Sequence, residues 1–220
     1  MRQKKVFFSS LQPPVFRLQP RHILLIAVFS VLCACVSGEA YIVSPNLRSA
    51  PDSRVAVLPF NNMSTDITAA EYLRKLSGEH FSKRGYTPVA FEDADEKLKV
   101  LGISDGGQLP SVSPERLGVI LGTDLLCYGD VEDFTFQNAG FVVRKSVVLR
   151  LKIVSASSGE TLFEASGAGK SIKFYLKKEE AKKAFIDAAV VKLVESIFKS
   201  PLHKEAEAAL GRVFDKMPRR

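Results

Sequence analysis

A short apolar run near the N-terminus is the feature that most constrains this chain. Residues 23–34 read Ile-Leu-Leu-Ile-Ala-Val-Phe-Ser-Val-Leu-Cys-Ala, and the residues before them include Arg and Lys but no Asp or Glu. Twelve residues match the hydrophobic core of an export signal, whereas a membrane-spanning helix needs about 20. The following residues, 36–40, are small and polar and do not extend the run. We therefore expect residues 1–34 to be a cleaved signal peptide.

The end of the run carries a motif for lipidation. Leu32-Cys33-Ala34-Cys35 resembles the bacterial lipobox, in which a branched apolar residue, a loosely restricted position and a small residue precede the modified cysteine. A thiol is needed for the thioether to diacylglycerol, and a small residue before it lets the peptidase reach the bond. We predict cleavage between Ala34 and Cys35, with diacylglyceride and palmitate on Cys35. Cys33 is the rival site, but Leu32 before it is too large.

Two alternatives to lipidation remain at this point, namely an uncleaved helical anchor and a buried cysteine pair. Inner-membrane lipoproteins often have Asp directly after the modified cysteine, and Val36 stands there in this chain. The lipobox therefore predicts a lipid anchor in the outer membrane, on its periplasmic side.

The basic charge of the chain lies mostly in its leader. The whole chain has 31 Lys and Arg against 24 Asp and Glu, a net charge of +7. Five of these basic residues and none of the acidic ones fall in residues 1–34, which leaves 26 against 24. A nucleic-acid-binding protein should carry a basic stripe on its folded part. We therefore predict no nucleic-acid partner.

The pattern after Cys35 predicts an α/β (α+β) fold. Residues 35–53 are rich in Gly, Ser, Pro and Asn, which is typical of a flexible tether. A strand, a helix and a second strand follow, and this order predicts a parallel pair with a right-handed crossover. Three later strands joined by short turns predict an antiparallel meander, so the sheet is mixed. The predicted strands are 54–60, 86–91, 124–136, 141–155 and 161–165, with helices at 68–84, 92–101 and from Ser113 to Gly122.

We expect residues 54–175 to form one domain. The pattern in residues 176–220 predicts two further helices that follow it. Lys177 to Phe198 is amphipathic and is expected to pack on the domain. A polar helix around His203 to Lys216 is expected to pack loosely or fray.

Three stretches carry a resemblance to known families. The strand from Val55 to Ser64 resembles the opening of the TolB N-terminal domain, and the secretion lipoprotein CsgG opens similarly. With residues 112–124 and 147–165, it resembles a family of uncharacterised bacterial lipoproteins whose soluble part is TolB-N-terminal-like. The resemblance covers residues 54–170. It implies an envelope protein without enzymatic activity that supports an envelope structure and can self-associate as a homo-oligomer.

Two short motifs suggest catalysis, but both lack their structural context. Gly169-Lys170-Ser171 ends like a phosphate-binding loop, yet Glu164 stands where the motif requires glycine. Gly102-Ile103-Ser104-Asp105-Gly106 matches G-x-S-x-G, but a charged helix precedes it instead of a buried strand. A hydrolase using Ser104 would need His203 as its base, because no other histidine follows it.

Metal ligands are also scarce in the sequence. His22 leaves with the leader, and His80, His203 and Cys127 are far apart and have no zinc-ligand spacing. We expect Cys127 to be a buried strand residue and His80 to face the sheet edge. The acid pairs Glu92/Asp93 and Glu132/Asp133 are interpreted as solvated surface. The sequence therefore predicts no catalytic residue, no metal and no cofactor.

Three functions are consistent with these patterns. The first is a non-enzymatic, lipid-anchored envelope lipoprotein that acts through contacts with other envelope proteins. The second is a subunit of a CsgG-like oligomeric secretion complex, for which Asp124–Ser155 supplies at most one of the two long hairpins required. The third is an envelope hydrolase using Ser104.

Overall fold

The computed structural model describes residues 40–49, 54–174, 183, 186 and 200–220. The lipobox and most of the predicted helix Lys177–Phe198 lie outside the described residues; Lys183 and Ile186 within it are helical. The strands are β1 (Tyr41–Val43), β2 (Arg54–Val57), β3 (Asn61–Asn62), β4 (Thr87–Pro88), β5 (Leu125–Asn138), β6 (Val142–Ser155) and β7 (Thr161–Phe174). The helices are α1 (Pro45–Ser49), α2 (Ala69–Lys83), α3 (Phe91–Val100), α4 (Pro114–Leu121) and α5 (His203–Phe214), with a 3₁₀ helix at Gly106–Ser111.

All seven of these strands form one mixed sheet. Their order is β1-β7-β6-β5-β2-β4, and β3 pairs with β5. β2 is parallel to both β4 and β5, whereas β5, β6 and β7 are antiparallel neighbours. The predicted α/β (α+β) fold, with its parallel crossover and its antiparallel meander, is therefore confirmed.

Apolar side chains pack on both faces of the sheet. On one face, which we call the inner face, α2 and α5 cover the alternate residues of β6, among them Val147, Leu149 and Leu151. On the other face, α3, α4 and the 3₁₀ helix cover β2 and the start of β5 through Leu58, Leu98 and Leu126. Alternation along β6 arises because successive side chains of a strand point to opposite faces.

The predicted α4 boundaries are set by local chemistry. The Ser113 hydroxyl accepts a hydrogen bond from the Arg116 N–H, and Pro114 occupies the first turn, where no N–H is needed. Gly122 ends the helix with φ of 68°, in the left-handed region that glycine adopts without strain.

The tether predicted at residues 35–53 is wrong over residues 41–49. Residues 41–43 form β1, which pairs with β7, and Leu47 of α1 is fully buried in the core. The Glu160 carboxylate accepts hydrogen bonds from the Ser44 hydroxyl and the Asn46 amide. The fold therefore begins near residue 41, because these contacts join it to strand residues more than a hundred positions away.

The C-terminal helix is also packed more firmly than predicted. Ala206, Ala209 and Leu210 of α5 are completely buried against β6 and β7. Gly167 and Gly169 on β7 allow this approach, because a Cβ at either position would collide with the backbone of α5. The Arg84 guanidinium donates to the Met217 carbonyl at 2.8 Å. The expectation of a loose or frayed tail is therefore wrong.

Candidate functional site

A cleft of about 260 Å³ opens beyond the C-terminal end of β2. Ligands of open α/β sheets bind at this edge of parallel strands, which makes the cleft the candidate site. Pro59 and Phe60 after β2 form one wall, and Ser104 lies in the loop after α3. The remaining lining residues are Ile67, Ala70, Glu71, Arg74, Asp95, Lys99, Ile103 and Asp105.

Arg74 is the most buried charged group of the cleft, with its side chain 2% exposed. Its Nε donates to the Val57 carbonyl at 2.9 Å, and Nη1 and Nη2 contact the two Asp95 carboxylate oxygens at 3.0 and 2.8 Å. Its guanidinium also lies over the Phe91 ring, 4.9 Å from the centroid. These contacts let Arg74 join α2, α3 and β2, while its Nη2 and the Asp95 Oδ1 are buried and make no hydrogen bond within the described residues.

Ser104 is not activated as a nucleophile. Its hydroxyl donates to the Gln108 side-chain oxygen at 3.4 Å, and its backbone N–H donates to the same oxygen at 2.7 Å. His203, the base that a hydrolase would need, instead contacts the Tyr72 hydroxyl through Nδ1 at 2.8 Å. Tyr72 lies in the inner-face core, whereas Ile103 beside Ser104 lies in the core of the opposite face. The fold therefore does not bring Ser104 and His203 together.

The two histidines of the described residues join α2 to α5. His80 Nε2 lies 2.9 Å from the Glu207 carboxylate, and the His80 ring stacks on Phe214 with centroids 5.0 Å apart. The prediction that His80 faces the sheet edge is wrong, because α5 lies there. Burial, with a contribution from Glu207, raises the pKa of Tyr72 to about 12. Tyr72 therefore stays protonated and able to donate to His203.

The other candidate residues from the sequence are part of the core or of a strand. Cys127 is fully buried in β5, as predicted, and burial raises the pKa of its thiol, so it stays protonated. Gly169-Lys170-Ser171 is extended strand within β7, which excludes the loop that a phosphate would need. Over the described part of the chain, no group of three or more His, Cys, Asp or Glu is arranged to hold a metal ion.

A charged cluster lies on the face of β5, β6 and β7 that is opposite the inner face. Arg150 of β6 is 41% exposed and approaches Glu132 of β5 at 3.2 Å and Glu164 of β7 at 3.7 Å. Its Nε lies 3.8 Å from Asp130. Exposed ion pairs of this kind stabilise a fold little, so the cluster chiefly gives this face a mixed-charge surface. We call the face formed by Asp130, Glu132, Arg150, Lys152 and Glu164 the outer sheet face.

None of the helices in the described ranges is both long and apolar enough to cross a bilayer. The described part is a mixed sheet with helices on both faces. The family model described as "Putative lipoprotein GNA1162-like" matches residues 44–218. The chain therefore belongs to the GNA1162-like lipoprotein family. The family model reaches beyond the residues 54–170 that carried the resemblance in the sequence, because it also includes α1 and α5.

Solved structures are similar to this chain in fold. Lipoprotein GNA1162 from Neisseria meningitidis is 20% identical, aligns with 65% of this chain and 99% of its own, and has a TM-score of 0.51. The PelC dodecamer from Paraburkholderia phytofirmans is 12% identical over 80% of this chain and 95% of its own, with a TM-score of 0.49. LpoB from E. coli is 14% identical over 78% and 84%, with a TM-score of 0.42. A search of curated protein sequences found no match.

Proposed function

We propose that this chain is a lipid-anchored lipoprotein of the bacterial cell envelope that acts by binding other proteins, without enzymatic activity. The observation that carries the proposal is the position of Cys35. Its lipobox stands five residues before β1, so a lipid on Cys35 would attach directly to the start of the folded domain. Membership of a lipoprotein family supports the same anchor.

The anchor itself has a simple energetic basis. Each buried CH₂ of an acyl chain contributes about 0.8 kcal/mol, and stable attachment takes more than one chain. Diacylglyceride together with an amide-linked palmitate on Cys35 meets that requirement. Val36 after the cysteine supports retention in the outer membrane, with the domain on the periplasmic side.

Fatty-acid labelling of cells that express the full chain tests the anchor. We expect Cys35→Ala to lose the label, because the thioether can form only on that thiol. Cys33→Ala is the matched control within the same lipobox and should keep the label. Label retained in Cys35→Ala, or lost in Cys33→Ala alone, contradicts the proposed site.

Action through protein contacts rests on how the polar groups of the domain are used. Arg74, Ser104 and His203 are engaged by neighbouring residues, whereas the outer sheet face presents partly exposed charges of both signs. Crosslinking in intact cells, followed by mass spectrometry, tests this proposal. We expect crosslinks from Lys152 on the outer sheet face to another envelope protein or to a second copy. A Ser104→Ala variant with an envelope defect would instead favour a hydrolase.

A further inference from the structure

One end of the long strands carries exposed apolar side chains. The turn 139–141 joins β5 to β6 at this end, and β7 ends beside it because Val142 pairs with Phe174. Phe141, Ile172 and Phe174 are 61%, 58% and 73% exposed. Large apolar groups grouped in this way on a folded surface indicate a contact with a membrane or a protein.

The same end is basic. Arg144, Lys170 and Lys173 are exposed there, and Arg144 pairs with Ile172 across the two strands. Residues 134–148 and 165–174 contain no Asp or Glu. Glu205 of α5 contacts the Ser171 hydroxyl at 2.6 Å, and it does so from the inner face. We call the set Phe141, Arg144, Lys170, Ile172, Lys173 and Phe174 the apolar–basic end.

An anionic phospholipid surface fits this combination better than a protein surface does. Aromatic and aliphatic side chains enter the boundary between headgroups and acyl chains, while Lys and Arg contact the phosphates. Each basic side chain close to an anionic leaflet strengthens binding by about fivefold. Arg144 and Lys170 share one face of the strands with Ile172 and Phe174, so these cations gain this attraction together with the apolar contact, whereas Lys173 lies on the other face, where Glu205 contacts Ser171.

The chain enters β1 from the direction of the same end. β1 is antiparallel to β7, with Val43 opposite Phe163 and Tyr41 opposite Ala165. Going backward from Val43 to Tyr41 therefore leads along β7 toward Phe174. Phe174 lies nine residues beyond Ala165, about 30 Å along the strand.

The length of chain before β1 limits how far the domain can stand from its anchor. Five residues separate Cys35 from Tyr41, so the link spans at most about 20 Å when fully extended. A link of this length keeps the domain close to a bilayer that holds the lipid on Cys35. Because the link is shorter than the distance of about 30 Å from Tyr41 to Phe174 along β7, the lipid on Cys35 and the apolar–basic end reach the same bilayer when the long strands lie obliquely to it.

We propose that the apolar–basic end is a second membrane-binding site, at which Phe141, Ile172 and Phe174 enter an anionic phospholipid surface and the basic residues contact its phosphates. The proposal rests on the proposed function, because the lipid on Cys35 makes the contact intramolecular. Tethering of this kind gives a high effective concentration, so a contact too weak to bind alone becomes populated.

Tryptophan fluorescence tests the site directly, because the chain contains no tryptophan. The lipidated full-length product carrying Phe141→Trp is reconstituted in phosphatidylcholine vesicles, with and without phosphatidylglycerol. We expect its emission to move to shorter wavelength and to be quenched by brominated acyl chains, most strongly with phosphatidylglycerol. Val119→Trp is the control, since Val119 is 84% exposed on α4 near the other end of β5. It should keep the emission of a solvated indole.

A charge variant separates the basic contribution from the apolar one. Adding Lys170→Gln and Lys173→Gln to Phe141→Trp should lower the ratio of docked to undocked protein by about 25-fold with phosphatidylglycerol. The same pair of changes should have little effect on phosphatidylcholine alone.

The possible failures are distinguishable from one another. Intact mass reports acylation independently of fluorescence, and a chain without acyl groups refutes the proposed function and removes the basis of this site. An acylated Phe141→Trp protein with the emission of Val119→Trp overturns the membrane contact alone. A shift to shorter wavelength without quenching by brominated lipid also overturns it, because a protein surface or a second copy then covers Trp at that position.

Discussion

Replacing Gly169 with alanine should weaken the attachment of α5 to the sheet. A Cβ at position 169 would collide with the Glu205 carbonyl group, which is helix backbone and cannot rotate away as a side chain can. Overpacking of a core costs about 1–3 kcal/mol, and we expect the upper end because the whole helix must move. For a domain of this size, a loss of about 3 kcal/mol lowers Tm by about 6–12 °C. The displaced helix would loosen the buried residues Ala206, Ala209, Leu210, Val213 and Phe214.

Thermal and urea unfolding followed by far-ultraviolet circular dichroism measure this effect. Gly211→Ala is the matched control, because it is the same substitution in α5 and a Cβ there would meet nothing within 4 Å. That control should raise the free energy of unfolding by about 0.5–1 kcal/mol, since alanine favours a helix over glycine. If Gly169→Ala changes stability by less than about 0.5 kcal/mol while the control behaves as expected, the close packing of α5 on β7 is refuted.

Three further outcomes follow from the described contacts. Arg74→Met should lower the free energy of unfolding by about 3 kcal/mol in urea titrations, because it leaves Asp95 and the Val57 carbonyl without their partner. Lys75→Met is the control: it removes only a surface pair with Glu71 and should lower the free energy of unfolding by about 0.5 kcal/mol or less. Burial opposes ionisation of Asp124, but hydrogen bonds from Ser157, Ser155 and the Ala156 N–H hold the pKa of its carboxyl below its usual value. Its ionised form therefore stabilises the fold above the unfolded pKa of about 3.9, and this contribution is lost as pH falls through the lower folded pKa. Asp124→Asn should accordingly lose less stability than the parent chain when unfolding is measured at successively lower pH below about 4; an equal loss would contradict the assignment. Ser104→Ala should leave both envelope integrity and Tm unchanged, and a defect in a correctly folded variant would contradict the structural role of Ser104.

The long elements of the fold could be predicted from local patterns. The strand periodicity of β6, the apolar run of β2 and the Ser113-Pro114 helix start with its Gly122 end each carry a strong local signal. The parallel pair followed from the order strand, helix, strand, because parallel neighbours in a sheet are joined by a crossover that is usually a helix.

The elements that sequence patterns missed are held by distant partners. β1 has only three residues, too few for periodicity, and it forms because β7 offers an edge more than 100 residues later. β7 extends beyond the predicted residues 161–165 through a Gly-rich segment with little strand propensity. The sequence did carry one signal for the packing of α5. Two glycines, at 167 and 169, share one face of β7, and two alanines, at 206 and 209, share one face of α5.

The candidate site was missed for a related reason. Arg74 belongs to the buried face of α2, where an isolated basic residue gives no hint of its partner. Asp95 sits on α3 within a charged segment that predicts only a solvated surface. The pair forms because α2 and α3 meet at the end of β2, which local patterns do not encode.

The intact mass of the mature protein from the membrane fraction tests the central claim most directly. A chain that begins at Cys35 and carries diacylglyceryl and acyl groups there agrees with the account. A chain that begins at Met1 and is recovered without lipid from the cytosol contradicts it.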